Sequence, residues 1–313
     1  MMLHFLLEAK FGSLTVLNEF ADILYNEPKE YLTILKHELE KGLSYPTARE
    51  NAILFYLNDV RKYSNILSSP NNILAIEYLK AIKKIKSNIL PITIKRVGSE
   101  YNSLETEGKF ASATAIRNFM QNGNDVKKFL PKVSYDLLNF NLKHGKIINN
   151  LNCYEKEILY ILRKMKLAEI ANLQDVSEGL ENSIKKGVSN CNNLEELINS
   201  IKSKRYTRSR IQRIMLYALL GITKKDVSSS YKIKPYIRIL GLNENGKELL
   251  SRFIYKNPKY PIITSVKKFA QTNANSSLAN MLEKDILSTN IYTLGYESDS
   301  KSNLDFTNRL IIK

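Results

Sequence analysis

Residues 110–117 read Phe-Ala-Ser-Ala-Thr-Ala-Ile-Arg, and the fold class turns on them. They follow a short apolar run at 90–97, Leu-Pro-Ile-Thr-Ile-Lys-Arg-Val, whose branched side chains and brevity predict a strand. Residues 98–111 read as a polar loop, and 112–122 as a helix that ends near Gly123. That order places a helix N-terminus just past the carboxyl end of a strand, where α/β proteins bind ligands. A helix N-terminus offers unpaired N–H groups and partial positive charge to an anion. Ser112 and Thr114 add hydroxyls. Arg117, one turn after Thr114, adds a planar cationic fork on the same face, so the trio reads as a phosphate-binding corner. The same residues also fit a Ser N-cap followed by an exposed Arg.

Working towards the N-terminus, residues 14–25, 28–41 and 46–58 carry apolar side chains at helical spacing (Leu14, Leu17, Phe20, Ala21 and Leu24 in the first). Pro28 suits a first helical turn and Gly42 a C-cap. Ser68 to Asn72 reads as a turn, followed by a helix over 73–86. Asn71 and Asn72 sit at that helix start, where an amide can donate to and accept from a ribose or a base edge, or simply cap the helix. A nucleotide-binding α/β domain normally opens with a strand and a phosphate loop. Here helices come first, so the front domain reads as incomplete.

Towards the C-terminus, 125–225 is predicted nearly all helical, 226–235 a polar linker with a Ser-Ser-Ser run, and 236–242, 245–255 and 260–266 a strand, a helix and a strand. Strand–helix–strand order predicts a small parallel βαβ unit. The tail, 285–313, reads as less regular. The expected domains are 1–124, 125–225 and 226–313.

The 313 residues carry a net charge of +16, which favours a polyanionic partner. Six basic residues crowd into 202–213: Lys202, Lys204, Arg205, Arg208, Arg210 and Arg213, with no acid and with Tyr206 among them. Such a patch can meet phosphates while its aromatic ring stacks on a base, or it can be a solvated helix face. Asp175-Val-Ser-Glu-Gly-Leu-Glu-Asn182 is acidic. It reads as a helix start with Ser177 as cap, in preference to an acid–base or Mg²⁺ site. Cys153 and Cys191 are too few for a disulfide framework or a zinc site, and a reducing cytosol is the expected compartment. The histidines, His4, His37 and His144, are scattered. No apolar run is long enough to span a bilayer, so no membrane role is expected.

Four blocks, 69–78, 110–117, 175–182 and 207–214, occur in an order that resembles the bacterial tRNA(Met) cytidine acetate ligases from about residue 11 onward. The resemblance implies an incomplete Rossmann-like nucleotidyltransferase domain. It also implies use of ATP, with Mg²⁺, to activate acetate as acetyl-adenylate. Acetyl transfer to N4 of the wobble cytidine of elongator tRNA(Met) would then give N4-acetylcytidine. It implies an ATP site at Asn71 or Asn72 and Arg117, and a basic region that holds tRNA. Members of the family open with a strand and an Asn-Pro-Phe-His-Asn-Gly-His loop that grips the triphosphate, and this sequence contains no such loop. The chain therefore reads as truncated, with residues 1–10 foreign to the fold, strand 90–97 left with an apolar edge, and activity impaired. A non-catalytic RNA-binding protein is the competing reading. A small-molecule adenylyltransferase would not need the basic cluster.

Overall fold

The computed structural model describes residues 4–9, 13–59, 63, 66–95, 111–147, 150–177, 179–203, 205–255, 259–273 and 276–313. The chain divides into two compact units, Met1–Pro131 and Lys132–Lys313.

In the first unit the elements are β1 (His4–Ala9), α1 (Leu14–Asn26), α2 (Lys29–Glu40), α3 (Tyr45–Leu57), α4 (Pro70–Lys84), β2 (Leu90–Lys95) and α5 (Ala113–Gln121). Leu17, Phe20, Ala21 and Leu24 recur every three or four residues and so form one stripe of α1. That stripe packs on Tyr31 and Leu35 of α2, Ala52 and Ile53 of α3, and Ala75, Ile76 and Leu79 of α4. Ser13 caps α1, accepting from the Val16 N–H at 3.2 Å. Burial pushes the Tyr31 phenol up to about 12. Glu38 is buried on α2 but paired: it accepts from Lys41 Nζ at 2.5 Å and Asn51 Nδ2 at 2.8 Å. Those two hydrogen bonds hold its carboxyl below the usual glutamate value.

Residues 4–9 correct the expectation that the first ten residues are foreign. They form β1, which pairs parallel with β2 in a register running from His4↔Leu90 to Ala9↔Lys95. The side of β2 that was expected to be bare is thus occupied, and α1–α4 form the crossover that a parallel pair requires.

The second unit begins with α6 (Lys132–Lys143), α7 (Glu155–Lys164), α8 (Leu167–Asn172), α9 (Leu180–Asn190), α10 (Leu194–Ile201), α11 (Arg208–Leu220) and α12 (Lys224–Ser230). Its core is Ile158 and Leu162 of α7, Ile184 and Val188 of α9, Leu194, Leu197 and Ile198 of α10, and Ile211, Ile214 and Met215 of α11. Terminal carbonyls of two helices are capped reciprocally. Lys185 of α9 donates to Met165, Arg163 and Leu162 carbonyls at the end of α7 (2.5, 2.9 and 3.4 Å). Arg163 of α7 donates to Cys191 and Val188 carbonyls at the end of α9 (3.2 and 3.4 Å). Each cation meets the negative end of the other helix. Gly187 lets α9 and α10 approach: a Cβ there would stand 2.9 Å from both Leu197 Cδ1 and Ser200 Oγ.

The expected linker at 226–235 is helical up to Ser230. Thr223 and Asp226 form a capping box that starts α12, so local polarity here marks a helix start. Beyond it lie β3 (Ile237–Arg238), β4 (Gly241–Leu242), α13 (Glu244–Tyr255), β5 (Ile262–Ile263), α14 (Val266–Thr272), α15 (Ser277–Tyr292), α16 (Leu304–Thr307) and β6 (Ile311–Ile312). β3 pairs parallel with β5 across α13, as the strand–helix–strand order predicted. The expected strand 236–242 divides in two, and β4 pairs instead with β6 in the tail. Ile263, Val266, Leu282 and Ile286 make a small separate core.

Gly187→Val is expected to lower the unfolding free energy by about 1–3 kcal/mol through overpacking, read from urea denaturation midpoints. Because the Glu38 pKa is depressed by folding, its stabilisation is present above the unfolded value and is lost as pH falls through the folded one. Glu38→Gln should therefore weaken the protein at neutral pH, and the gap to wild type should narrow on acidification below about 4.

Candidate functional site

Helix α4 starts at Pro70, three residues earlier than the sequence predicted, because Pro is well suited to the first helical position. Ser69 stands at its N-cap without a side-chain cap bond. Asn71 and Asn72 consequently lie inside the first turn, 9% and 0% exposed. Neither amide is the cap. Asn71 Nδ2 is buried with no hydrogen-bond partner among the described residues, an arrangement that costs free energy unless an acceptor arrives.

Helix α5 follows β2 after the loop, and residues 96–110 of that loop, Phe110 included, lie outside the described residues. Ser112 is the N-cap of α5, buried, accepting from the Ala115 N–H at 2.9 Å. The capping reading of Ser112 therefore holds. One turn on, Thr114 and Arg117 share a face as their spacing predicted, and Arg117 Nη2 donates to Thr114 Oγ1 at 3.4 Å. The guanidinium is otherwise exposed at the first turns of a helix whose dipole favours anions.

The basic segment is differently arranged. Lys204 lies outside the described residues. Thr207 caps α11, so Arg208, Arg210 and Arg213 sit on its first turns. Arg208 grips Glu195 of α10 through both terminal nitrogens, at 2.6 and 2.5 Å, and that fork holds the Glu195 carboxyl below its ordinary range. Arg210 donates to the Asp175 carbonyl at 2.7 and 3.1 Å and to Ser177 Oγ at 2.8 Å. Arg213 reaches the Asp175 carboxylate at 2.9 and 3.0 Å. Tyr206 has the Arg210 and Arg205 guanidiniums 5.1 and 5.8 Å from its ring centre, and its hydroxyl donates to the Ser177 carbonyl at 3.4 Å. Lys202 and Arg205 are exposed.

The acidic block is the counterpart of these arginines. Its expected cap, Ser177, is not the cap: Gly179 precedes α9 with φ +80°, and Ser177 serves Arg210 instead. Asp175 itself adopts a left-handed φ of +67°, and both its carbonyl and its carboxylate face arginines. Charge content was visible in the sequence. The pairing, across 33 to 38 positions, was not.

The model of the HIGH Nucleotidyl Transferase family matches residues 3–306. The chain belongs to that family. Within it, the chain is 42% identical over 304 residues to the tRNA(Met) cytidine acetate ligase of Thermoanaerobacter sp. (strain X514), which covers 96% of this chain and 73% of the relative. It is 43% identical to that of Caldanaerobacter subterraneus subsp. tengcongensis over 302 residues, with the same coverage. Thermotoga maritima TmcAL, apo form I, superposes with a TM-score of 0.86 at 29% identity, covering 99% of this chain and 77% of that one. A second form of that protein, bound with alpha-thio ATP, gives 0.85 at 28% identity. The nucleotidyltransferase-like fold and the membership among the tRNA(Met) cytidine acetate ligases, enzymes of the ligase class, thus agree with the four sequence blocks. Among the described residues no helix is long and apolar enough to cross a membrane.

The two kinds of arginine should behave differently on truncation. Arg117→Ala is expected to leave the unfolding free energy within about 0.5 kcal/mol of wild type, as for an exposed side chain with one long contact. Arg210→Ala strands the Asp175 carbonyl and Ser177 hydroxyl and should cost about 1–3 kcal/mol, both measured by urea unfolding.

Proposed function

We propose that this chain carries the ATP corner and the RNA-binding surface of a cytoplasmic enzyme that acetylates N4 of the wobble cytidine of elongator tRNA(Met). The observation that carries the proposal is the orphaned Asn71 amide in α4, in the same unit as the exposed Arg117 fork at the start of α5. It is supported by relatives named for that activity and by a fold neighbour seen with an ATP analogue.

In the first step an acetate oxygen attacks the α-phosphorus of ATP, and pyrophosphate leaves. Negative charge builds on the α-phosphate oxygens in the transition state. Arg117 and the α5 N-terminus are donors suited to that charge, and being fixed beforehand they need no reorganisation when it forms. The Asn71 amide gives an N–H to the nucleotide and so recovers its missing partner. In the second step the cytidine N4 attacks the acyl carbon, AMP leaves, and N4 gives up a proton. An anticodon loop supplies that base unpaired and open at its edge. Lys202, Lys204 and Arg205 meet RNA phosphates, while Arg208, Arg210 and Arg213 first hold α10, α11 and the 175–177 turn in place and present the remaining basic surface.

Filter binding of elongator tRNA(Met) at a series of salt concentrations tests the RNA half. Log affinity should fall steeply with log salt, and salt-independent or absent binding overturns it. For the ATP half, the chain should bind ATP weakly, and Arg117→Ala should remove that binding. Acetate-dependent exchange of pyrophosphate into ATP should be absent, because this sequence contains no Asn-Pro-Phe-His-Asn-Gly-His loop. Robust exchange refutes that limit.

A further inference from the structure

A cavity of about 440 Å³ opens at the carboxyl ends of β3 and β5, the place where parallel strands present ligand sites. Arg238, Leu240, Ile263, Ser265, Asp305 and Arg309 are among its walls. Arg238, at the end of β3, pairs through Nη2 with Asp305 Oδ1 on α16. The Asp305 side chain is only 8% exposed, and its second oxygen, Oδ2, is buried with no hydrogen-bond partner among the described residues. A buried carboxylate is expected to have both oxygens satisfied, and one here is held ready for a donor. None of these residues belongs to the ATP corner or to the basic segment.

The chemistry of the walls selects the ligand. A guanidinium has five N–H donors, and one of Arg238's is on Asp305. The pair therefore offers an acceptor, Asp305 Oδ2, next to donors on Arg238. Acceptor–donor–donor is the order in which guanine addresses cytosine. Cytosine answers it with an amine N–H, then ring N3, then O2. Uracil would set its N3–H against a donor. Adenine lacks the third group. Guanine wants the opposite order. The exposed Leu240 supplies apolar surface for a base plane, and the exposed Arg309 leaves the cavity with excess positive charge for a phosphate.

The geometry points to a cytosine-reading pocket: the cavity between β3, β5 and α16 takes an unpaired cytidine nucleotide, with Asp305 Oδ2 accepting from the exocyclic amine and Arg238 donating to N3 and O2. The pocket rests on the tRNA-modifying reading for its source of cytidine. It gives the second unit a base-specific contact with RNA, in addition to phosphate contacts that carry no sequence information.

Isothermal titration of the full chain with CMP and UMP tests the pocket without any variant. CMP should bind roughly tenfold tighter than UMP. N4,N4-dimethyl-CMP, which has no amine hydrogen, should bind no better than UMP. Asp305→Asn turns the free oxygen into a donor and should abolish the preference, with a thermal melt reporting whether the variant is folded. Equal affinities for CMP and UMP, full affinity for the dimethylated nucleotide, or no CMP binding at millimolar concentration each overturn the pocket. The tRNA filter-binding series separates the two ideas. A chain that holds tRNA yet ignores the amine loses only the pocket. A chain that prefers CMP but does not hold tRNA loses the tRNA reading and keeps the pocket.

Discussion

The helical part of the second unit depends on one requirement: every helix end must find partners for its unpaired backbone groups, and several of those partners come from neighbouring helices. Lys185 closes α7 while Arg163 closes α9. Glu155 Oε2 accepts from the first N–H of α10 at 2.9 Å, Lys224 donates to the Ala171 carbonyl in α8 at 2.6 Å, and Lys284 donates to the Gly221 carbonyl after α11 at 3.0 Å. Each link sets a charged side chain against a backbone group, and such hydrogen bonds are stronger than neutral ones. They also fix its register, since a cap reaches its carbonyls only if both helices are correctly placed.

That requirement changes what the basic composition means. A net charge of +16 points towards RNA, but a good part of the cationic inventory is structural. Arg208, Arg210 and Arg213 are half of the six cations of the basic segment, and each is tied to an acid, a carbonyl or a hydroxyl of the same unit. The acidic block at 175–182, which alone looks like a helix start, is the other half of this fastening. Beside these tied arginines, Lys202 and Arg205 stand exposed.

The helices were legible in the sequence because a 3.6-residue period is a local property. The sequence reading placed α1, α2, α3 and α5 within a residue or two. The strands were less so. β1 shows no alternation and exists by pairing with a partner more than eighty positions away. β3 to β6 are two residues each, and the tail strand β6 has no signal apart from its neighbour β4. At the site, the Thr114–Arg117 face follows from spacing alone. The burial of Asn71 follows from where α4 begins, a boundary that the proline three residues before the predicted start could have disclosed. The Asp305–Arg238 pair spans 67 positions, and no local pattern announces it.

The three carbonyls on Lys185 carry a lesson for anyone redesigning this surface. Efforts to lower a high isoelectric point usually exchange lysines for neutral or acidic residues on the assumption that any solvent-facing ammonium is dispensable. Here the ammonium is a tetrahedral connector whose three N–H bonds point at three separate oxygens, and no other side chain carries three donors on one atom. Glutamine would supply two donors in a plane and leave an oxygen facing oxygens. Recolouring this protein's exterior should therefore start from lysines without such ties and treat Lys185, Lys224 and Lys284 as parts of the backbone's own wiring.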